Sequence, residues 1–182
     1  MSVPTMSEAE GRTLQTFTAL MWALSYPGRI FTLSARGLDA FSAIADALVD
    51  LETSYYTDDS NLRWLLARTG GRNRLSAAAM YQFYPVLTET TIPLLAEVPV
   101  GTYTYPDQSA TLVIGCRLGA GRQLRLTGPG IASAVRLRID GIPEAFWPLR
   151  DHACRYPLGW DVVLVSGDQV AGLPRTTHAE VE

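Results

Sequence analysis

His152 beside Asp151 is the one place in this chain where a general base adjoins a carboxylate. A catalytic histidine needs an acid that orients its ring, but consecutive side chains on a helix point apart, so the pair reads as a surface histidine beside an unrelated acid. The other histidine, His178, stands four residues from the end of the sequence, where disorder is the expectation. Cys116 and Cys154 lie far apart. With the two histidines they give no finger-like or ribbon-like spacing, so both read as small buried hydrophobes and no metal or other cofactor is expected. Nucleophile-elbow, zinc-protease, dinucleotide-binding and kinase-loop patterns are all missing.

Arginine carries the remaining chemistry. All fifteen basic residues are arginine, so no Schiff base can form to pyridoxal phosphate or to a carbonyl substrate, and no phosphate loop can have its lysine. What is left for anions is the planar guanidinium fork, which matches phosphate and carboxylate bidentately. Arg150, Arg155 and Arg175 flank turn-rich aromatic segments and are candidates for a ligand or an interface. In LPRTT, Pro174 stiffens the approach while Arg175, Thr176 and Thr177 offer a fork and two hydroxyls. Such a set suits a phosphate-rich ligand, and equally a contact with another subunit.

The stretch LTGPGI, residues 126–131, is a second candidate, with Thr127, Gly128, Pro129 and Gly130 directly after the alternating run RQLRL. Proline fixes one backbone angle and the glycines reach conformations closed to other residues, so this loop holds one shape. Either it is a strand-end corner or it turns backbone amides toward an anion. Arg136 and Arg138 alternate with Val135 and Leu137, which puts both on one face of a strand, solvated or turned to a charged partner. GAGRQ, residues 119–123, lies between two strands and reads as a hairpin turn rather than a phosphate loop. Asp161, directly before VVLV, reads as a backbone cap, and Glu52 is a carboxylate near a helix end.

These residues must be positioned by elements the periodicity predicts. Ser7 and Glu10 have capping-box spacing, and Leu14, Phe17, Leu20, Met21 and Leu24 follow at helical intervals until Tyr26-Pro27-Gly28. IFTL suits a short strand; Asp39 opens a second helix through Leu51, ending near Glu52-Thr53. Asp59 or Ser60 caps a third helix that ends at Gly70-Gly71, and a polar loop, GGRNR, follows. LSAAAMYQFY is split between strand and short helix, and TIPLLAEV suits another helix. From Gly101 onward TYTY, ATLVIGCRL, RQLRL and ASAVRLRI read as consecutive strands of a sheet. PEAFWPLRDHACRY reads as a helix kinked or shortened by Pro148, DVVLVSG as a buried strand, and LPRTTHAEVE as a tail.

Length and composition bound the rest. At 182 residues, with 47% hydrophobic and 18% charged residues, the chain predicts a single globular domain, residues 1–182. The expected class is α/β, a mixed sheet covered by helices. A net charge of −3 argues against a broad nucleic-acid face. The start has no basic segment followed by an apolar one, and runs such as ALMWAL are too short to span a bilayer, so a cytoplasmic protein without a membrane partner is expected.

Four stretches fall in one order over nearly the whole chain: FTALMWALSYPGRI, VPVGTYTYPDQSATLVIG, LTGPGI, and RYPLGWDVVLV with LPRTT. Together they resemble the PhnH family, whose members are components of the bacterial carbon-phosphorus lyase system for phosphonate use. Thr18 stands where that family commonly has arginine, Trp22 where a small polar or acidic residue is usual, and AAAMYQFY lacks an expected aspartate, as in a divergent member. The resemblance implies a homodimer with a fold similar to that of the pyridoxal-phosphate-dependent transferases but without the cofactor. It also implies partnership with the carbon-phosphorus lyase subunits G, I and J, which couple ATP to a phosphonate with loss of adenine to give a ribose 1-phosphonate 5-triphosphate. Of these, subunit I is the implied seat of that step and subunit J of the radical cleavage; two separated cysteines cannot hold a three-cysteine cluster. On this basis the chain is an accessory subunit rather than a catalyst alone, with Trp160, Trp147 or Arg155 as contact anchors. Two other expectations compete: a ligand-binding component holding ATP or the ribose triphosphate intermediate against Arg175 and the TGPGI loop, or an independent anion- or nucleotide-binding domain with no role in phosphonate breakdown.

Overall fold

Alternation along two apolar runs sets the layering. In strands β5 (Thr111–Gly115) and β8 (Asp161–Ser166), Leu112, Ile114, Val162 and Leu164 enter one core while Val113, Val163 and Val165 enter another. Both faces of this sheet are therefore covered, as its near-continuous hydrophobic runs require. The computed structural model describes residues 6–182; residues 1–5, at the head of the stretch expected to carry no leader, lie outside the described residues.

The remaining elements are helices α1 (Glu8–Ser25), α2 (Leu38–Leu48), α3 (Ser60–Leu66), α4 (Ile92–Leu95) and α5 (Phe146–Ala153). The other strands are β1 (Ile30–Thr32), β2 (Ser54–Thr57), β3 (Arg72–Asn73), β4 (Tyr81–Tyr84), β6 (Arg117–Thr127), β7 (Val135–Asp140), β9 (Gln169–Leu173) and β10 (His178–Val181). Seven strands form one sheet in the order β1-β9-β8-β5-β4-β2-β3, and three form another in the order β10-β6-β7. In the large sheet β8, β5, β4, β2 and β3 are parallel, and β9 returns antiparallel to β8 and to β1. One core holds Leu20 and Ala23 of α1, Phe41 and Ile44 of α2 and Leu62 and Leu66 of α3 against Phe83, Val113 and Val163. The other holds Leu124 and Leu126 of β6, Leu137 and Ile139 of β7, and Phe146, Trp147 and Trp160 against Leu112 and Val162. The mixed sheet with helices is thus the architecture expected of the class, with a second small sheet behind it.

α1 starts as its spacing predicts: Glu10 N donates to Ser7 Oγ at 3.2 Å and Ser7 N to the Glu10 carboxylate at 2.7 Å. Its orientation is a correction. Thr16, Ala19, Leu20 and Ala23 face inward, while Leu14, Phe17 and Met21 face solvent, Phe17 at 48% exposure. The helix sits closely on β9, where a Cβ on Gly172 would stand 2.4 Å from the Ala23 carbonyl oxygen. Ala19 and Ala23 permit that approach and Leu20 fills the core beside them, which leaves Leu14, Phe17 and Met21 on the outer side.

Several boundaries also differ from expectation. α2 begins after Gly37, not at Asp39, and stops short of Glu52 because the Asp50 carboxylate accepts from Glu52 N and Thr53 N in a turn of its own. LSAAAMYQFY divides by propensity, its alanines in a 3-10 turn at 76–78 and its aromatics in β4. TYTY is not a strand: Thr102 and Tyr105 bond each other through backbone and hydroxyl, closing a turn ahead of Pro106. GAGRQ is not a hairpin turn either. β6 runs through it, with a bulge that sets both Leu118 and Arg122 opposite Ile139, and Gly121, at φ +71, permits the close approach to β7. The strands from 111 to 139 are not neighbours in one sheet, since β5 belongs to the large sheet and β6 and β7 to the small one. Pro148 leaves α5 unbroken because it lies in the first turn, where its missing N–H has no helical partner. The expected tail holds part of β9 and all of β10, so His178 is ordered, paired with Thr127.

Candidate functional site

Arg150 reaches inward from α5 and is 3% exposed. Its Nη1 donates to Thr177 O at 3.0 Å, and its Nη2 to Pro174 O at 2.8 Å and Leu173 O at 3.3 Å. Burial draws the guanidinium pKa below its usual value, opposed by Cys154, Asp161 and Asp151. An arginine still stays charged there, because its reference value lies so far above neutrality. The fork therefore fastens α5 to the carbonyls of segment 173–177, where chain direction changes between β9 and β10.

Arg175 is committed in a similar way. Its Nη2 lies 2.6 Å from Asp161 Oδ2, its backbone N donates to Asp161 Oδ1 at 2.8 Å, and its Nη1 donates to Pro106 O at 2.7 Å. Asp161 is thus both the backbone cap expected of it and the partner of a partly buried ion pair, and the pair ties the start of β8 to the loop before β5. Thr177 N closes a turn onto Pro174 O at 2.9 Å, and the Thr177 hydroxyl is buried with no partner among the described residues.

The TGPG corner joins this frame from the end of β6. Gly128 has φ +134, and a Cβ there would stand 2.6 Å from Thr176 O; Gly130 has φ +82, and its Cβ would stand 2.7 Å from Ser25 O at the end of α1. The corner is wedged between two stretches of backbone, which accounts physically for both glycines. Thr127 to Gly130, Arg150 and Arg175 to Thr177 therefore come together as one fastening between α1, α5, β6, β8 and β10.

Arg155 stands apart from that frame. It is exposed just beyond α5, its Nη2 3.4 Å from His152 Nδ1, and no carboxylate pairs with it among the described residues. The two side chains line a cavity of about 540 Å³ with Val100, Tyr103, Leu149, Leu158 and Trp160. Asp151 does not orient His152; it lies 3.4 Å from His178 Nδ1 on β10. Trp160 and Trp147 are not surface anchors, since both are buried, Trp160 at 1% exposure with its Nε1 donating to Val98 O. Arg136 pairs with Glu182 at 3.0 Å and Arg138 donates to Gly121 O, so that strand face is satisfied within the small sheet. Glu52 is exposed, and its carbonyl receives Arg72.

Neither cysteine is set up as a nucleophile by a neighbouring base. Burial pushes the Cys116 thiol up to about 12, leaving it protonated at neutral pH, and Cys154 Sγ contacts Trp160 O at 3.8 Å. Among the described residues no three His, Cys, Asp or Glu side chains are grouped to hold a metal ion, and no helix is long and apolar enough to cross a membrane. What sequence patterning misses is the outward side of α1: Leu14, Phe17, Met21, Trp22 and Tyr26 are exposed, with Tyr26 stacked on Trp22 at 5.4 Å. The signal is present in the sequence, since large apolar residues recur on more sides of α1 than one core face can take up.

Comparison with known proteins gives a consistent result. The family model described as bacterial phosphonate metabolism protein (PhnH) matches residues 4–180. The "Putative C-P lyase subunit protein HtxG" of Stutzerimonas stutzeri is 36% identical over 178 residues, covering 94% of this chain and 87% of that protein. The "Alpha-D-ribose 1-methylphosphonate 5-triphosphate synthase subunit PhnH" of Rhizobium meliloti (strain 1021) is 30% identical over 180 residues, covering 91% of this chain and 89% of that protein.

Proposed function

The chain belongs to the PhnH family of bacterial phosphonate metabolism proteins, and from that premise we propose that it is an accessory subunit of a carbon-phosphorus lyase assembly. In this role it supports formation of a ribose 1-phosphonate 5-triphosphate from ATP and a phosphonate, in the cytoplasm, as one domain over residues 1–182. The fold parallels that of the pyridoxal-phosphate-dependent transferases without the cofactor, and the lysine-free sequence leaves no residue to hold it as a Schiff base.

The observation that carries the proposal is the outward side of α1. A subunit needs a surface where large apolar side chains lie exposed in the isolated chain, and Leu14, Phe17, Met21, Trp22 and Tyr26 form one. A second copy of the chain and subunits G, I and J are its proposed occupants. Arg175 and the TGPG corner serve the role as a rigid mount, because their hydrogen-bonding capacity and close contacts are taken up inside the protein.

Reconstitution tests this. Subunits G, I and J of the same organism, incubated with ATP and methylphosphonate, release adenine when this chain is present and fall to background when it is omitted. Adenine release by the chain alone, or undiminished release without it, refutes the accessory role.

A further inference from the structure

The cavity beside Arg155 has the makings of a ligand site that the subunit role does not require. Its floor is apolar, formed by Val100, Leu149, Leu158 and the buried Trp160, and its rim carries Arg155, His152 and the phenol of Tyr103, which is 77% exposed. About 540 Å³ is the size of a small-molecule pocket. Arg155 is a cation without a carboxylate partner among the described residues, unlike Arg175, and its donors are not spent on carbonyls, unlike those of Arg150. The guanidinium can only donate, so its contact with His152 Nδ1 at 3.4 Å fits the tautomer that carries its proton on Nε2, in which both side chains offer donors.

The walls are fixed before any ligand arrives. Arg150 locks α5, which supplies Leu149 and His152; Gly159 N donates to Val100 O at 2.9 Å; Trp160 Nε1 donates to Val98 O at 3.3 Å. Arg175 holds the loop at Pro106 that follows Tyr103. A preformed pocket loses little affinity to ordering.

We propose that this cavity binds a small organic anion with an apolar body, its carboxylate or phosphonate head on Arg155 and His152 and its alkyl or aryl group against Leu149, Leu158 and Trp160. The two halves act together: the donors select charge, and the floor selects against a bare inorganic ion. This assignment stands on the cavity alone and holds or fails independently of the assembly role.

Calorimetric titration of the full chain tests it, with phenylphosphonate, phenylacetate, inorganic phosphate and benzyl alcohol in turn. The expected result is binding of at least one aryl anion, with inorganic phosphate weaker by about tenfold or more and benzyl alcohol weaker still. Arg155→Gln lowers the aryl-anion affinity about tenfold to a hundredfold at an unchanged melting temperature, because the side chain is exposed and supports no packing. Arg36→Gln, at an exposed pair with Asp168, leaves affinity as it is. Silence toward both aryl anions at millimolar concentration, equal affinity for inorganic phosphate, or full affinity in Arg155→Gln overturns the proposal.

Discussion

Arg150→Ala is expected to destabilise the chain by about 3–5 kcal/mol, the range for removing a buried charged group that holds several partners. Two guanidinium nitrogens serve three carbonyls, those of Leu173, Pro174 and Thr177, at a site 3% exposed. Truncation strands the carbonyls away from water and opens a void beneath α5. For a chain of this length the corresponding fall in melting temperature is on the order of 10 °C. Arg150→Lys restores only part of the loss, since one ammonium on a flexible stem cannot reproduce the planar fork across all three acceptors. Urea unfolding of the three proteins orders them wild type, lysine, alanine. A loss within about 1 kcal/mol for alanine would mean that water reaches those carbonyls and that Arg150 is not the fastening of α5.

The TGPG corner gives the second large effect, with an internal control. Gly130 and Gly119 share φ +82, but a Cβ on Gly130 would stand 2.7 Å from Ser25 O, whereas around Gly119 nothing lies within 4 Å. Left-handed backbone alone costs an alanine about 1–2 kcal/mol. Gly119→Ala therefore loses about 1 kcal/mol and Gly130→Ala about 3 kcal/mol, the difference reporting the forced separation of the corner from α1. Equal losses measured by chemical unfolding would show that the corner does not lean on the end of α1.

The sequence makes part of this legible and hides the rest for physical reasons. The capping box of α1, the cap at Asp59 and the buried strand β8 are readable because each depends on local chemistry or a strong apolar run. β2 and β3 are not, being four and two residues long and held by parallel neighbours from elsewhere in the chain. β10 is hidden because its pairing with β6 joins residues such as Glu180 and Arg125, far apart in sequence.

At the candidate site the residue types are visible in the sequence and their assignments are not. Arg150 and Arg175 suggest ligand forks, yet their partners are carbonyls and a carboxylate brought in by tertiary structure. Arg155 looks equivalent to them and differs only because the fold leaves it at the rim of a cavity. The helical spacing of Leu14, Phe17 and Met21 is legible and its direction is not, because the approach of Gly172 to Ala23 that sets the inner side comes from β9, far off in sequence.

In the proposed role, the outward side of α1 is the contact surface for the other carbon-phosphorus lyase subunits. The most direct measurement is co-purification of the tagged chain with subunits G, I and J on size exclusion, comparing wild type with Phe17→Glu combined with Trp22→Glu. Phe17 is 48% and Trp22 41% exposed and neither belongs to the buried core, so the double variant is expected to stay folded, with a modest loss from the Trp22–Tyr26 stack. A stoichiometric complex is expected for wild type and for Trp64→Glu, an exposed control on α3, and loss of the complex for the double variant. A folded double variant that still co-elutes with all three subunits would contradict it.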